Sequence, residues 1–130
     1  MIQRKWMIAA TLLIRAMAAM AQVKTGVEVL RERNFDVLQG KRVGLCTNPT
    51  GVDRNLVSTI DILWEAENVN LVALYGPEHG VRGNIYAGDH VDNEVDPKPG
   101  LKMYSLYGKT SKPTKEMMDE VDVLVYDIQD

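Results

Sequence analysis

The sequence predicts an α/β fold, a Rossmann-like open and mainly parallel sheet flanked by helices, here as an incomplete domain. Three observations carry this. Four short apolar runs (42–47, 69–75, 102–106 and 121–126) recur with helix-length spacers between them. The first spacer carries a helical stripe, which makes strand–helix–strand the simplest unit and calls for a parallel crossover. Each run is followed at its carboxyl end by polar residues, and the fourth is followed at once by Asp127-Ile128-Gln129-Asp130, with nothing after it to cover the strand.

The first 21 residues are expected to lie outside the mature fold. Arg4 and Lys5 form a basic n-region, Trp6 to Ile14 an apolar h-region, and Ala19-Met20-Ala21 a small-x-small cleavage site before Gln22. Arg15, just after the apolar run, departs from the usual pattern. The run is about nine residues, against the roughly 20 that span a bilayer, so 1–21 reads as a signal peptide and not an anchor. The mature chain, 22–130, is then an exported soluble protein, periplasmic or extracellular. Its single cysteine, Cys46, lies in an apolar run and is expected to be a buried hydrophobe. A net charge of −3 and the lack of basic stretches interleaved with aromatics argue against nucleic acid as a partner.

Element by element, Val27 to Arg33 predicts a short helix ended by Asn34. Arg42 to Thr47 is the first buried strand, running into the turn-forming Asn48-Pro49-Thr50-Gly51. Asp53 is placed as N-cap of the next helix, whose stripe is Leu56, Ile60, Leu63 and Trp64. Val69 to Tyr75 is the second strand. Residues 80–100, with four glycines and two prolines, predict a long functional or partner-binding loop. Lys102 to Leu106 is the third strand. Ser111 is expected to cap a helix that turns Met117 and Met118 inward, before a fourth, strongly apolar strand from Val121 to Tyr126.

If all four strands are parallel, the polar clusters after them share one rim, where open α/β sheets bind ligands. They are Asn48-Pro49-Thr50, Glu78-His79, Ser105 with Tyr107, and Asp127 with Gln129 and Asp130. The chemistry on offer is acid–base work. Glu78 sits in Gly76-Pro77-Glu78-His79-Gly80, a constrained strand-end turn, and acts as a general acid only if burial or a second carboxylate raises its pKa. Asp127 and Asp130 are the candidates for that charge, against the plain readings of a helix cap and a solvated side chain. His79 reads as a supporting hydrogen-bonding residue or a base, and Arg82 as a surface cation or a bidentate anion contact. Asp89, His90, Asp92, Glu94 and Asp96 match neither a calcium nor a zinc spacing, so no metal is expected. Gly80-Val81-Arg82-Gly83 is misplaced for a dinucleotide fingerprint, and Ser105 lacks the glycine-flanked elbow of a nucleophile.

Four ordered blocks carry a resemblance: Cys46-Thr47-Asn48-Pro49-Thr50-Gly51, Gly76 to Gly83, Tyr104-Ser105-Leu106-Tyr107-Gly108, and Val125 to Asp130. Together they resemble the exo-β-N-acetylmuramidase family, over essentially the whole mature chain. The resemblance implies a glycoside hydrolase that releases N-acetylmuramic acid from the non-reducing end of peptidoglycan fragments. It also implies a Rossmann-like catalytic domain followed by a second α/β domain, of which this chain is the N-terminal part. On that basis Glu78 is the catalytic acid or base, with Asp127, Asp130 or a residue beyond the chain as its partner. Asn48, His79, Arg82, Gln129 and Asp127 line the sugar pocket with Asp130 at the same rim, and Arg82 pairs with the lactyl carboxylate. No cofactor is implied, and the partner is a peptidoglycan-derived saccharide. The alternatives are a non-catalytic periplasmic saccharide-binding module and a truncated, inactive fragment.

Overall fold

The computed structural model describes residues 23–77, 80–83, 101–108 and 110–129. Helix α1 (Gly26–Glu32) and a 3-10 turn (Asp36–Leu38) lead into β1 (Arg42–Thr47). Helix α2 (Thr59–Glu65), β2 (Asn70–Gly76), β3 (Lys102–Ser105), the single-turn α3 (Lys115–Met118) and β4 (Val123–Asp127) follow. The four strands form one fully parallel sheet in the order β3-β2-β1-β4, as the α/β reading requires.

Helix α1 begins where Glu28 reaches back to the Thr25 amide at 2.7 Å, and the chain turns off it through Asn34 and Phe35, both at positive φ. Phe35 tolerates that strained backbone because its ring is buried in the core. Glu28 also accepts hydrogen bonds from Arg54, fastening α1 to the loop before α2.

One face of the sheet is sealed by Val43, Leu45 and Leu74 packed against Leu38, Ile60 and Leu63, all nearly or fully buried. The other carries a smaller cluster of Cys46, Ala73, Tyr75 and Val121. Tyr75 donates its hydroxyl to the Met117 carbonyl at 2.7 Å, so α3 is tied to this face by a buried phenol whose pKa burial pushes up to about 12. Burial likewise raises the Cys46 thiol, which is the inert apolar residue expected. Leu71 and Leu74 share a cluster although three residues apart, because the β1–β2 register shifts between Val43 and Gly44 and leaves Val72 as an extra residue. A bulge of this kind re-phases the inside–outside alternation.

Several expectations need correcting. Asp53 does not cap α2. Its side chain accepts from the amides of Asn55 and Val57 at 2.9 and 3.0 Å, closing the loop between the bridged residues Val52 and Ser58. Arg31 and these amides hold this buried carboxyl below its usual range, the Val57 amide first. The N-cap is Ser58, whose hydroxyl accepts from the Ile60 amide. Leu56 is therefore no part of the helical stripe, and it stands 79% exposed at a positive φ on the loop tip. Thr114, not Ser111, caps α3 by accepting from the Met117 amide. One turn of helix can aim only one of two consecutive methionines at the sheet, so Met117 packs inward and Met118 is exposed. Among the described residues β4 stands at one end of the sheet with alternating exposure, and Tyr126 is 69% exposed.

Arg54, with the Thr25 amide, lowers the Glu28 pKa from the ordinary 4.5 to about 2, and Arg42 does the same for Asp122, from 3.8 to about 2. Carboxyls depressed in the folded state add stability that is complete above their unfolded pKa values and is lost as pH falls toward 2. Arg54→Ala is accordingly expected to move the midpoint of acid unfolding, followed by circular dichroism, to higher pH. An unmoved midpoint refutes this role for the Glu28–Arg54 pair.

Candidate active site

The strand order decides where on the rim a ligand can sit. From β1 the chain steps outward to β2 and β3, then returns to lay β4 on the opposite side of β1. The reversal falls between β1 and β4, and the place beyond their carboxyl ends is the switch point, the crevice at which open α/β sheets bind ligands. Thr47 pairs with Asp127 in the register, so the residues just after both strands meet there.

Of the sequence-predicted residues, Asn48, Asp127 and Gln129 converge on this crevice. The Thr47 hydroxyl, 1% exposed, donates to the Asp127 carbonyl at 2.7 Å. The Asp127 carboxylate accepts from the buried Thr59 hydroxyl at 2.5 Å and from the Gln129 side-chain amide at 3.3 Å. Thr59 is the first residue of α2, so Asp127 ties the end of β4 to the start of that helix. Gln129 also donates from its side chain to the Val52 carbonyl at 2.9 Å and from its backbone to the Thr50 hydroxyl at 2.9 Å. Asn48 accepts from both the Thr50 amide and hydroxyl, at 3.0 and 2.6 Å.

Arg82 arrives from the other side. Gly83, at φ +70, lies so close to Pro49 that a Cβ there would stand 2.8 Å from the proline ring, which seats the segment after β2 against the loop after β1. Arg82 there pairs with Asp61 of α2 at 3.1 Å, with both side chains about 30% exposed. Asp61 thus holds the guanidinium beside the first turn of α2.

Gly76 closes β2, and Val81 and Gly80 fold back against it: a Cβ on Gly76 would meet Val81 at 3.2 Å and Gly80 at 3.3 Å. The turn of the Gly-Pro-Glu-His-Gly motif therefore starts and ends at the β2 rim. Glu78 and His79 themselves lie outside the described residues, as do Asp130 and the acidic stretch Asp89, His90, Asp92, Glu94 and Asp96. The cluster after β3 does not join the crevice. β3 is three strand spacings, about 14 Å, from β4. Ser105 and Tyr107 there satisfy each other locally.

Sequence reasoning placed Thr50 on the rim without giving its hydroxyl a role, and missed the hydroxyls of Thr47 and Thr59 and the carboxylate of Asp61. One signal was available. Ser58-Thr59-Ile60-Asp61 has the form of a capping box, which fixes the helix start at Ser58 and with it the place of Thr59. Here Asp61 pairs with Arg82.

The chain is similar to known proteins. The chain is 53% identical, over 109 residues, to the peptidoglycan beta-N-acetylmuramidase NamZ of Bacillus subtilis (strain 168), covering 84% of this chain and 26% of that protein. A crystal structure of a DUF1343 family protein from Bacteroides fragilis NCTC 9343 superposes with a TM-score of 0.73 at 68% identity, over 82% of this chain and 26% of that one. A second DUF1343 family protein from the same organism gives 0.64 at 36% identity, over 85% and 26%. The chain thus spans about a quarter of the length of these relatives. Residues 43–130 match the family described as exo-beta-N-acetylmuramidase NamZ, N-terminal, and the chain belongs to that family.

Proposed function

We propose that the complete polypeptide carrying this chain is an exo-acting glycoside hydrolase that releases N-acetylmuramic acid from the non-reducing end of peptidoglycan fragments. The observation that carries this reading is the 53% identity to the Bacillus subtilis peptidoglycan beta-N-acetylmuramidase NamZ. The crevice supports it from chemistry. Glycosidases commonly use two carboxyl groups flanking the scissile bond, with hydrogen-bonding groups that fix the sugar. Glu78, on the turn anchored at the β2 rim, serves as general acid and base. Asp127 supplies a second carboxylate, held in one orientation by Thr59 and Gln129. Asn48, His79, Gln129 and Asp130 contact the sugar, and Arg82, braced by Asp61, takes the lactyl carboxylate.

The test is turnover of a chromogenic N-acetylmuramic acid glycoside by the complete polypeptide. Release of the aglycone is expected. Binding of muramic acid saccharides without hydrolysis refutes the enzyme reading in favour of a saccharide-binding module.

Export belongs to the same proposal, with 1–21 as signal peptide and 22–130 the N-terminal part of a catalytic domain working in the periplasm or outside the cell. Amino-terminal sequencing of the exported protein should then begin at Gln22. A protein retained in the cytoplasm with Met1 in place refutes this.

A further inference from the structure

Two residues from different strands, Asn48 after β1 and Gln129 after β4, meet a single hydroxyl, that of Thr50. It donates to the Asn48 side-chain oxygen at 2.6 Å and accepts the Gln129 amide at 2.9 Å. The Thr50 amide donates to the same Asn48 oxygen at 3.0 Å. A backbone N–H can only donate, so the atom it meets must be the amide oxygen, and the orientation of Asn48 is fixed with its NH2 directed away from Thr50. Gln129 is fixed as well, since its NH2 donates to the Val52 carbonyl and to Asp127.

We propose that Thr50 is a positioning residue that registers Asn48 and Gln129 across the β1/β4 crevice and thereby sets saccharide affinity. The part concerning affinity rests on the saccharide-binding reading of Asn48 and Gln129 above. Thr50 touches no reacting atom in this scheme. Its loss should raise KM and leave kcat nearly alone, because the Asp127 carboxylate keeps its 2.5 Å hydrogen bond from Thr59 when the longer one, 3.3 Å from Gln129, is loosened.

The experiment compares Thr50→Val, which keeps the shape and removes the hydroxyl, with Thr50→Ser, which keeps the hydroxyl, in the complete polypeptide. Two readouts are taken: kinetics on the chromogenic glycoside, and hydrogen–deuterium exchange of the peptide containing Gln129. Thr50→Val should raise KM about tenfold with kcat within about twofold, and the Gln129 amide should exchange about tenfold faster. Thr50→Ser should restore both. A Gln129 amide equally protected in Thr50→Val, or a KM defect as large in Thr50→Ser, overturns the proposal. If the unsubstituted polypeptide does not hydrolyse the glycoside, the hydrolase reading fails, while the exchange measurement still decides whether Thr50 holds Gln129. If Thr50→Val does not fold, Thr50→Ala carries the same comparison.

Discussion

Glu78→Gln is expected to lower kcat of the complete polypeptide about 10²- to 10⁴-fold, with KM little changed. The substitution keeps size and hydrogen-bonding reach but leaves no proton to give the leaving-group oxygen and no base to activate water. A drop of about 10³ corresponds to roughly 4 kcal/mol of transition-state stabilisation, in the range of a lost general acid. The flanking residues Gly76, Gly80 and Val81 pack together at the β2 rim. β2 is the neighbour of β1 in the sheet, so the residues flanking the motif stand one strand away from Asn48. Steady-state kinetics on the chromogenic glycoside check it, with circular dichroism to verify folding. A folded Glu78→Gln protein with undiminished kcat removes Glu78 from the chemistry.

Gly51→Ala is expected to cost about 2–4 kcal/mol of stability, and with it the shape of the crevice. A Cβ at this position would lie 2.2 Å from the Thr47 hydroxyl and 2.7 Å from the Asp127 carbonyl. Neither neighbour can give way cheaply. Thr47 is buried and bonded to that same carbonyl, and the carbonyl belongs to the backbone of β4. Gly51 itself is pinned, with its amide on the Asn48 carbonyl at 3.0 Å and its carbonyl accepting from the Thr59 amide at 2.9 Å. Relief comes only by parting β1 from β4, which pulls Asn48 away from Gln129. Urea unfolding measures the loss. The control is Gly26→Ala in the first turn of α1, where nothing lies within 4 Å of the added methyl; there alanine should be neutral or better by about 0.5–1 kcal/mol. Equal midpoints for the two variants contradict the steric account.

The same separation between position and partner runs through the fold. β1 was legible to the residue, since Arg42 to Thr47 is one continuous apolar run before an Asn-Pro turn, and local pattern reports burial along a single element. The shared rim was legible too, because parallel strands put all their carboxyl ends on one side. The motif residues were visible as residues, and three of them, Asn48, Asp127 and Gln129, prove to be neighbours. What was not legible was which partner each polar side chain takes and where a strand shifts its register. Asp53 looked like a helix cap because its neighbours in sequence are helix-like, but its carboxylate folds into its own loop and onto Arg31. β2 hides a bulge because the residue displaced, Val72, is as apolar as those around it.

The sequence by itself determined the fold class, the places of the four strands and the residue types available at their ends. Only the tertiary structure decided which of those ends form a site. The strand order puts the reversal between β1 and β4, and that choice leaves Ser105 and Tyr107 at a far edge while joining Thr47 to Asp127 and Thr59 to Asp127 across 80 and 68 residues of chain. Hydrogen bonds of that span follow from how the crossovers stack the strands, which no local period encodes. The hydroxyls of Thr47, Thr50 and Thr59 gained their meaning only when the two strands met.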